Sequence, residues 1–97
     1  MNSLPHGQIR RLELFGKYDL TQKGEIGALF RALSPGGPAT IDMSRVTHVD
    51  SSFLYELTRL RTRLVPHRVT LLVRSESIRR LLKRVKFDAL FEIQTLF

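Results

Sequence analysis

The sequence predicts an α/β domain in which helices pack against a mixed, mainly parallel sheet of four to five strands. Apolar residues recur first at the two-residue spacing of a strand and then at the spacing of a helix, and this change repeats along the chain. The chain has 97 residues, of which 42% are hydrophobic, and this suits a single core. Strands that alternate with helices usually pair in parallel, because each helix returns the chain to the same end of the sheet.

The amino-terminal residues differ from those that follow. Pro5 and Gly7 disfavour regular structure, so residues 1–8 are expected to form a disordered leader and residues 9–97 a single domain. The start of the chain lacks the charged and apolar segments of a secretory signal. Every apolar segment is interrupted by charge, well short of the roughly 18 apolar residues of a membrane span, so no membrane insertion is expected.

The first strand and the first helix are predicted from a change of period. Apolar and charged residues alternate over residues 9–18, which indicates a half-buried strand. Thr21 is expected to cap the following helix, and the Ser-Pro-Gly-Gly-Pro segment at residues 34–38 is expected to end it. The apolar stripe of this helix consists of Ile26, Leu29, Phe30 and Leu33.

The second strand and helix follow in the same way. Residues 39–43 predict a short strand, and residues 46–49 either continue it or form a brief edge strand. The period changes at Asp50, where a helix begins, and Pro66 stops that helix. The apolar stripe of this helix consists of Phe53, Leu57, Leu60 and Leu64.

The last third of the chain predicts a strand, a helix and a packed tail. Residues 69–73 are aliphatic and β-branched, as in a central buried strand. Ser75 or Ser77 is expected to cap the third helix. Residues 87–97 are expected to pack back on the core, with room for a short final strand. The stripe of the third helix consists of Ile78, Leu81, Leu82 and Val85.

Composition and charge restrict the classes of function. The absence of Cys excludes disulfides and thiolate zinc sites and agrees with a cytoplasmic location. The net charge of +7 is concentrated in residues 51–97, which hold ten Lys and Arg against four Asp and Glu. Such a surface attracts an acidic protein, nucleic acid or anionic lipid, although a solvated face with no partner has the same composition.

No constellation in the sequence predicts an enzyme. His48, Asp50 and Ser51 are close in sequence, but triads are spatial and the chain has no Gly-x-Ser-x-Gly elbow. The three histidines are too dispersed to predict a metal site, and residues 34–38 lack the Gly-Lys-Ser/Thr ending of a phosphate-binding loop. We therefore expect no catalytic residue, no metal and no cofactor.

The Asp50-Ser51-Ser52 segment allows two interpretations. Asp and Ser are preferred at helix N-caps, so these residues are accounted for by capping alone. The same position suits a switch, because a phosphate adds about −1.5 to −2 charge and is stabilised by the unpaired N–H groups at a helix start.

Several segments together resemble the STAS family. The family signature runs from a strand ending in Asp-hydrophobic-Ser to a hydrophobic-Asp-Ser-Ser helix start, which here are residues 41–44 and 49–52. Gly16 with Asp19 is similar to the early Gly–Asp element of the family. Residues 73–75, before a Leu-rich helix, are similar to its later part. The resemblance covers nearly the whole chain and implies a STAS-like fold.

The resemblance implies the role of a bacterial anti-sigma factor antagonist. Such a protein binds an anti-sigma serine kinase, is phosphorylated on the first Ser after the Asp, and is restored by a phosphatase. In this sequence the phosphorylated residue is Ser51. The implied partner-binding residues are Asp19, Asp50, Ser51, Ser52 and Phe53.

Phe53 departs from the Gly that is common in the family at this position. A Gly lets the backbone of a partner come close, whereas a Phe either fills that space or turns into the core.

Two other functions remain open at this point. One is a STAS-like subunit that docks on the ATPase of a lipid transporter, which a bulky Phe53 at the edge would favour. The other is nucleic-acid binding through the basic residues between Arg59 and Lys86, with an affinity that falls steeply with salt. Nucleic acid is the less favoured partner, because no stacking aromatic residues interleave with the basic ones.

Overall fold

The computed structural model describes residues 10–33 and 36–97, so the leader expected at residues 1–8 lies outside the described residues. Two 3₁₀ turns, Leu20–Gln22 and Phe87–Ala89, precede the first helix and the last strand. The strands are β1 (Arg11–Tyr18), β2 (Ala39–Val49), β3 (Val69–Val73) and β4 (Glu92–Thr95). The helices are α1 (Lys23–Arg31), α2 (Ser51–Leu64) and α3 (Glu76–Arg84).

The four strands form one sheet in the order β1-β2-β3-β4, and every neighbouring pair is parallel. The predicted α/β class with helices packed against a sheet is confirmed. All strand pairs within the described residues are parallel. Each crossover moves one strand in the same direction, and right-handed crossovers of this kind place all three helices on one face. The opposite face is therefore without a helix in the described part of the chain.

The core lies between the sheet and this layer of helices. Alternate residues of β3 and of the first half of β2 are buried, and the residues between them are half-buried. The apolar stripes of α1 and α2 pack on the buried face, so the residues form one continuous cluster. Its fully buried members are Ile26, Leu33, Ile41, Met43, Phe53, Leu57, Leu60, Leu64, Val69, Leu71, Val73 and Leu82.

β2 is a single strand of 11 residues, so residues 46–49 continue it. Its pairing with β1 shifts register twice, between Glu13 and Phe15 and between Gly16 and Lys17, and each shift gives β2 one extra residue. Gly16 has a φ of +86° at the second shift, a conformation that side chains with a Cβ disfavour. Register shifts of this kind are β-bulges, which change the direction in which the following side chains point. Strict alternation is accordingly lost in the second half of β2.

The helix ends correct two sequence-based expectations. Thr21 does not cap α1, because the 3₁₀ turn intervenes and Gln22 takes the cap position without a side-chain hydrogen bond. Val85 lies after the end of α3 and is 38% exposed, so it is not part of a buried stripe. The prediction for Ser75 is confirmed, since its hydroxyl accepts a hydrogen bond from the Ile78 N–H at 3.2 Å.

Two arginines of α2 donate hydrogen bonds to backbone carbonyls of neighbouring elements. Arg63 donates to the carbonyls of Phe30 and Leu33, at 2.5 and 3.1 Å, and so satisfies acceptors at the end of α1. Arg61 donates to the carbonyl of Leu90 at 2.9 Å. These two guanidinium groups are therefore engaged within the chain.

Phe53 is buried at the first turn of α2, with 0% of its surface exposed. Its ring lies 5.6 Å from that of Tyr18 at the end of β1 and 5.8 Å from that of Phe30 in α1, measured between centroids. Of the two alternatives left open by the sequence, Phe53 takes the inward one.

We expect Phe53→Ala to lower the free energy of unfolding by about 3–5 kcal/mol, because the substitution leaves a cavity where three elements meet. Phe53→Leu is the matched control and should cost clearly less, since it keeps most of the apolar volume. Urea denaturation followed by circular dichroism measures both. Equal stability of Phe53→Ala and the parent chain would contradict the burial described here.

The open face of the sheet carries a polar cluster around Asp42. Its carboxylate accepts hydrogen bonds from Arg11 at 2.7 Å and from the Ser44 N–H at 2.9 Å. Burial alone would raise the pKa of this carboxyl, but the Ser44 hydrogen bonds and the charges of Arg11 and Arg45 outweigh it and hold the pKa below its usual value. Asp42 therefore stabilises the folded state in its ionised form.

The sign of the pH dependence follows from this lowered pKa. The stabilisation by Asp42 is present above the unfolded-state pKa of about 4 and is lost as the pH falls through the lower pKa of the folded state. We expect Asp42→Asn to be less stable than the parent chain at about pH 6, with the difference shrinking towards about pH 3. Denaturant titrations at several pH values measure this. Glu13→Gln removes a more exposed partner of Arg11 and should change stability little.

Candidate functional site

The candidate site lies at the carboxyl edge of the sheet, where β1 and β2 end. Tyr18 pairs with Val49 at the last position of the ladder, so the next residues, Asp19 and Asp50, leave the sheet side by side. Ser51 is the first residue of α2. The structure thus brings together Asp19, Asp50 and the two serines that the sequence singled out.

Asp50 caps α2. Its backbone is extended, and its carboxylate Oδ1 accepts hydrogen bonds from the N–H groups of Ser52 at 3.0 Å and Phe53 at 3.3 Å. These are two of the donors that a helix start leaves without intrahelical partners. The predicted helix start at this segment is confirmed, with Asp50 as the cap.

The two serines differ in exposure and in hydrogen bonding. Ser52 is half-buried, and its hydroxyl donates to Asp50 Oδ1 at 2.7 Å. Ser51 is exposed, and its hydroxyl makes no hydrogen bond with any residue in the described ranges. The Ser51 hydroxyl is therefore accessible, whereas the Ser52 hydroxyl is engaged by Asp50.

Asp19 is held in a fixed orientation by Thr21. The Asp19 carboxylate accepts from the Thr21 hydroxyl at 2.5 Å and from the Thr21 N–H at 2.9 Å. These hydrogen bonds, with the charge of Lys17, lower the pKa of Asp19, while the nearby Asp50 carboxylate acts in the opposite direction. The edge consequently presents two carboxylates close enough to influence each other.

Phe53 does not belong to the accessible part of the site. Because its side chain is 0% exposed, Phe53 offers no surface to a partner in this structure, and its role in partner binding stays a prediction. Its ring instead packs against those of Tyr18 and Phe30 in the core, and these contacts hold the start of α2 in place. The same burial removes the argument that a bulky surface Phe53 favours permanent docking on a transporter ATPase.

Tyr55 is an exposed aromatic residue that the sequence analysis missed. It lies four residues after Ser51, on the same face of α2, and is 53% exposed. The Arg59 guanidinium lies 5.9 Å from the centre of its ring. Exposed Tyr and Arg are common at protein interfaces, and the four-residue spacing from Ser51 was the available signal.

Other kinds of site find little support at this edge. Since the Ser51 hydroxyl has no hydrogen-bond partner in the described ranges, it is not part of a Ser–His–Asp arrangement there. Within residues 10–33 and 36–97, no three His, Asp or Glu side chains cluster as metal ligands. No helix among the described residues is long and apolar enough to cross a membrane.

The comparisons with known proteins establish the fold. No family model matches the sequence, and no curated protein matches it. Among solved structures, the anti-sigma factor antagonist SpoIIAA in its unphosphorylated form superposes with a TM-score of 0.63 at 18% sequence identity. The match covers 98% of this chain and 84% of that one. The chain therefore has the STAS fold that its sequence motifs resemble.

We expect Asp50→Ala to lower the free energy of unfolding by about 1 kcal/mol, because two N–H groups at the start of α2 lose their acceptor. Asp50→Asn keeps a side-chain oxygen in that place and should be close to the parent chain. Urea denaturation of the three proteins at neutral pH measures the difference. If Asp50→Ala were as stable as Asp50→Asn, the capping role would be refuted.

Proposed function

We propose that this chain is a partner-binding regulator of the anti-sigma factor antagonist kind, switched by phosphorylation of Ser51. In its unmodified form it binds an anti-sigma serine kinase in the cytoplasm through the carboxyl edge of the sheet. Phosphorylation by that kinase releases it, and a phosphatase restores it. The observation that carries the proposal is the exposed, unbonded hydroxyl of Ser51 at the helix start, beside a Ser52 hydroxyl that is engaged by the cap.

The geometry of the cap supports a switch that acts on the surface. Asp50 already accepts from the Ser52 and Phe53 N–H groups, so a phosphate on Ser51 finds these two donors occupied. We infer that the phosphate stays on the outer side of the helix start, where the helix dipole still favours its charge. A partner that fits closely over the Ser51 hydroxyl then meets added bulk.

The charge of a phosphate on Ser51 would weaken partner binding, as its bulk would. Asp50 directly precedes Ser51 and Asp19 leaves the same edge of the sheet, and a phosphate adds about −1.5 to −2 to this edge at neutral pH. A partner whose surface matches two carboxylates faces a much stronger negative field after modification. Tyr55, one turn along α2, offers an apolar anchor that phosphorylation leaves unchanged.

The two alternative functions are less well supported. An exposed Phe53 would have favoured docking on a transporter ATPase, and that residue is buried. Nucleic-acid binding rested on the basic residues between Arg59 and Lys86. Several of these are engaged within the chain: Arg61 and Arg63 bind carbonyls, and Arg79 and Arg80 bind Glu76. Both alternatives stay predictions.

We expect the protein purified from its native host to carry one phosphate on Ser51 in part of the population. Intact-mass measurement detects the phosphate, and tandem mass spectrometry locates it. Ser51→Ala should abolish the modification, whereas Ser52→Ala should keep it, because the Asp50 hydrogen bonds to the backbone remain. Phosphate on Ser52 instead of Ser51, or none across growth and stress conditions, would refute the switch.

A second test of the switch measures binding to the kinase by two variants, each of which introduces one negative charge at a different position of α2. Ser51→Asp should weaken binding to the serine kinase of the native host by about tenfold or more, which corresponds to at least about 1.4 kcal/mol. Thr62→Asp is the matched control, since it adds the same charge on an exposed residue about 16 Å further along the helix. Titration calorimetry measures both variants. Equal binding by both variants would contradict the proposal.

A further inference from the structure

A groove borders the candidate site on the side of α3. The pairing of β2 with β3 ends at Met43 and Val73, whereas its pairing with β1 continues to Val49. The last six residues of β2 therefore have no neighbouring strand on the β3 side within the described part of the chain. α3 lies alongside instead, and the space between them is a groove of about 400 Å³.

One face of α3 lines this groove. Ser77, Arg80, Leu81 and Arg84 follow the i, i+3, i+4, i+7 spacing that places residues on a single face of a helix. Val49 of β2 and Ile78 of α3 are buried and form its apolar base. The groove thus has an apolar base and polar side chains along one wall.

The charged residues of the groove are all basic. His48, Arg80 and Arg84 line it, and no carboxylate does so within the described ranges. Arg80 donates through Nε to Glu76 at 3.1 Å, while its two terminal nitrogens make no hydrogen bond with the described residues. Arg84 and His48 likewise have no hydrogen bond or ion pair in the described part of the chain. The Arg84 guanidinium, the terminal nitrogens of Arg80 and the His48 ring are consequently available to a ligand.

The groove is continuous with the switch. Residues 47–49 line it, and the chain passes directly from them into Asp50 and Ser51. A protein seated on the start of α2 therefore also covers the near end of the groove. Its surface would face two environments of opposite charge, the carboxylates of Asp19 and Asp50 and the guanidinium groups of Arg80 and Arg84.

We propose that this groove binds an acidic segment of the protein partner, as a second contact beside the Ser51 switch. The proposal deepens the proposed function and rests on it for the identity of the partner. Opposite charges on the two sides of one contact surface fix the orientation in which the partner docks, because the reversed orientation brings like charges together. The charges that line the groove do not depend on Ser51, so phosphorylation weakens the contact at the edge around Asp19 and Asp50 and leaves the groove itself unchanged.

An acidic protein segment fits this groove better than a nucleic acid. Single-stranded nucleic acid is bound by a basic track with aromatic side chains for the bases, and no aromatic residue lines the groove within the described ranges. The nearby Asp19 and Asp50 would also repel a continuous polyanion. A protein surface can change the sign of its charge over this short distance.

The first experiment titrates the isotope-labelled protein with a deca-glutamate peptide at low salt and follows the backbone amide signals. The signals of residues 47–49 and 77–84 should shift most. Arg80→Glu with Arg84→Glu should weaken peptide binding by about fivefold or more, whereas Lys83→Glu with Lys86→Glu should change it less than about twofold. The second pair makes the same charge change on exposed residues outside the groove.

Equal losses in the two double variants would show general attraction to a basic surface and would overturn the proposal. Tighter binding of a ten-nucleotide oligothymidylate to the same amides would assign the groove to nucleic acid and also overturn it. The peptide titration of Ser51→Asp separates the two proposals, because groove binding should survive that substitution. Groove binding without any phosphate on Ser51 in the host would refute only the switch.

Discussion

The packing of Phe53 between Tyr18 and Phe30 fixes the position of the start of α2, and the candidate site depends on it. Tyr18 is the last residue of β1 and directly precedes Asp19, while Phe53 donates its N–H to Asp50. Both carboxylates are therefore attached to buried aromatic residues through a few backbone bonds. Their separation is set by the core, so the edge is preformed, and the partner of the proposed function would lose little binding energy to ordering it.

The sheet order determines where this edge lies in the fold. Since all crossovers run in one direction, the helices share one face and the chain changes element repeatedly at the carboxyl end of the sheet. At this edge β2 extends beyond the end of β3, so its last residues lie next to α3. The space between them is the basic groove, which adjoins the acidic edge. Charge of both signs is thus displayed over a short distance by a chain whose net charge is +7.

Local interactions could be predicted from the sequence, and long-range ones could not. The caps formed by Asp50 and Ser75 depend on residues two or three positions away, so residue type and position were sufficient. The continuation of β2 depends on two register shifts against β1, which no alternation within β2 reveals. The burial of Phe53 and the carbonyl contacts of Arg63 likewise arise from elements more than 20 residues away. Thr21 failed as a cap because a 3₁₀ turn delays α1.

The cap at Asp50 restricts how this position can vary in evolution. Asn, Ser or Thr would preserve a hydrogen-bond acceptor for the Ser52 and Phe53 N–H groups but would remove a negative charge beside Ser51. Glu would preserve the charge, but its longer side chain is a poorer N-cap. Capping alone admits several residues at this position, and a negative charge beside Ser51 also admits more than one. Asp satisfies both, so under the proposed function this position is more restricted than the surrounding surface.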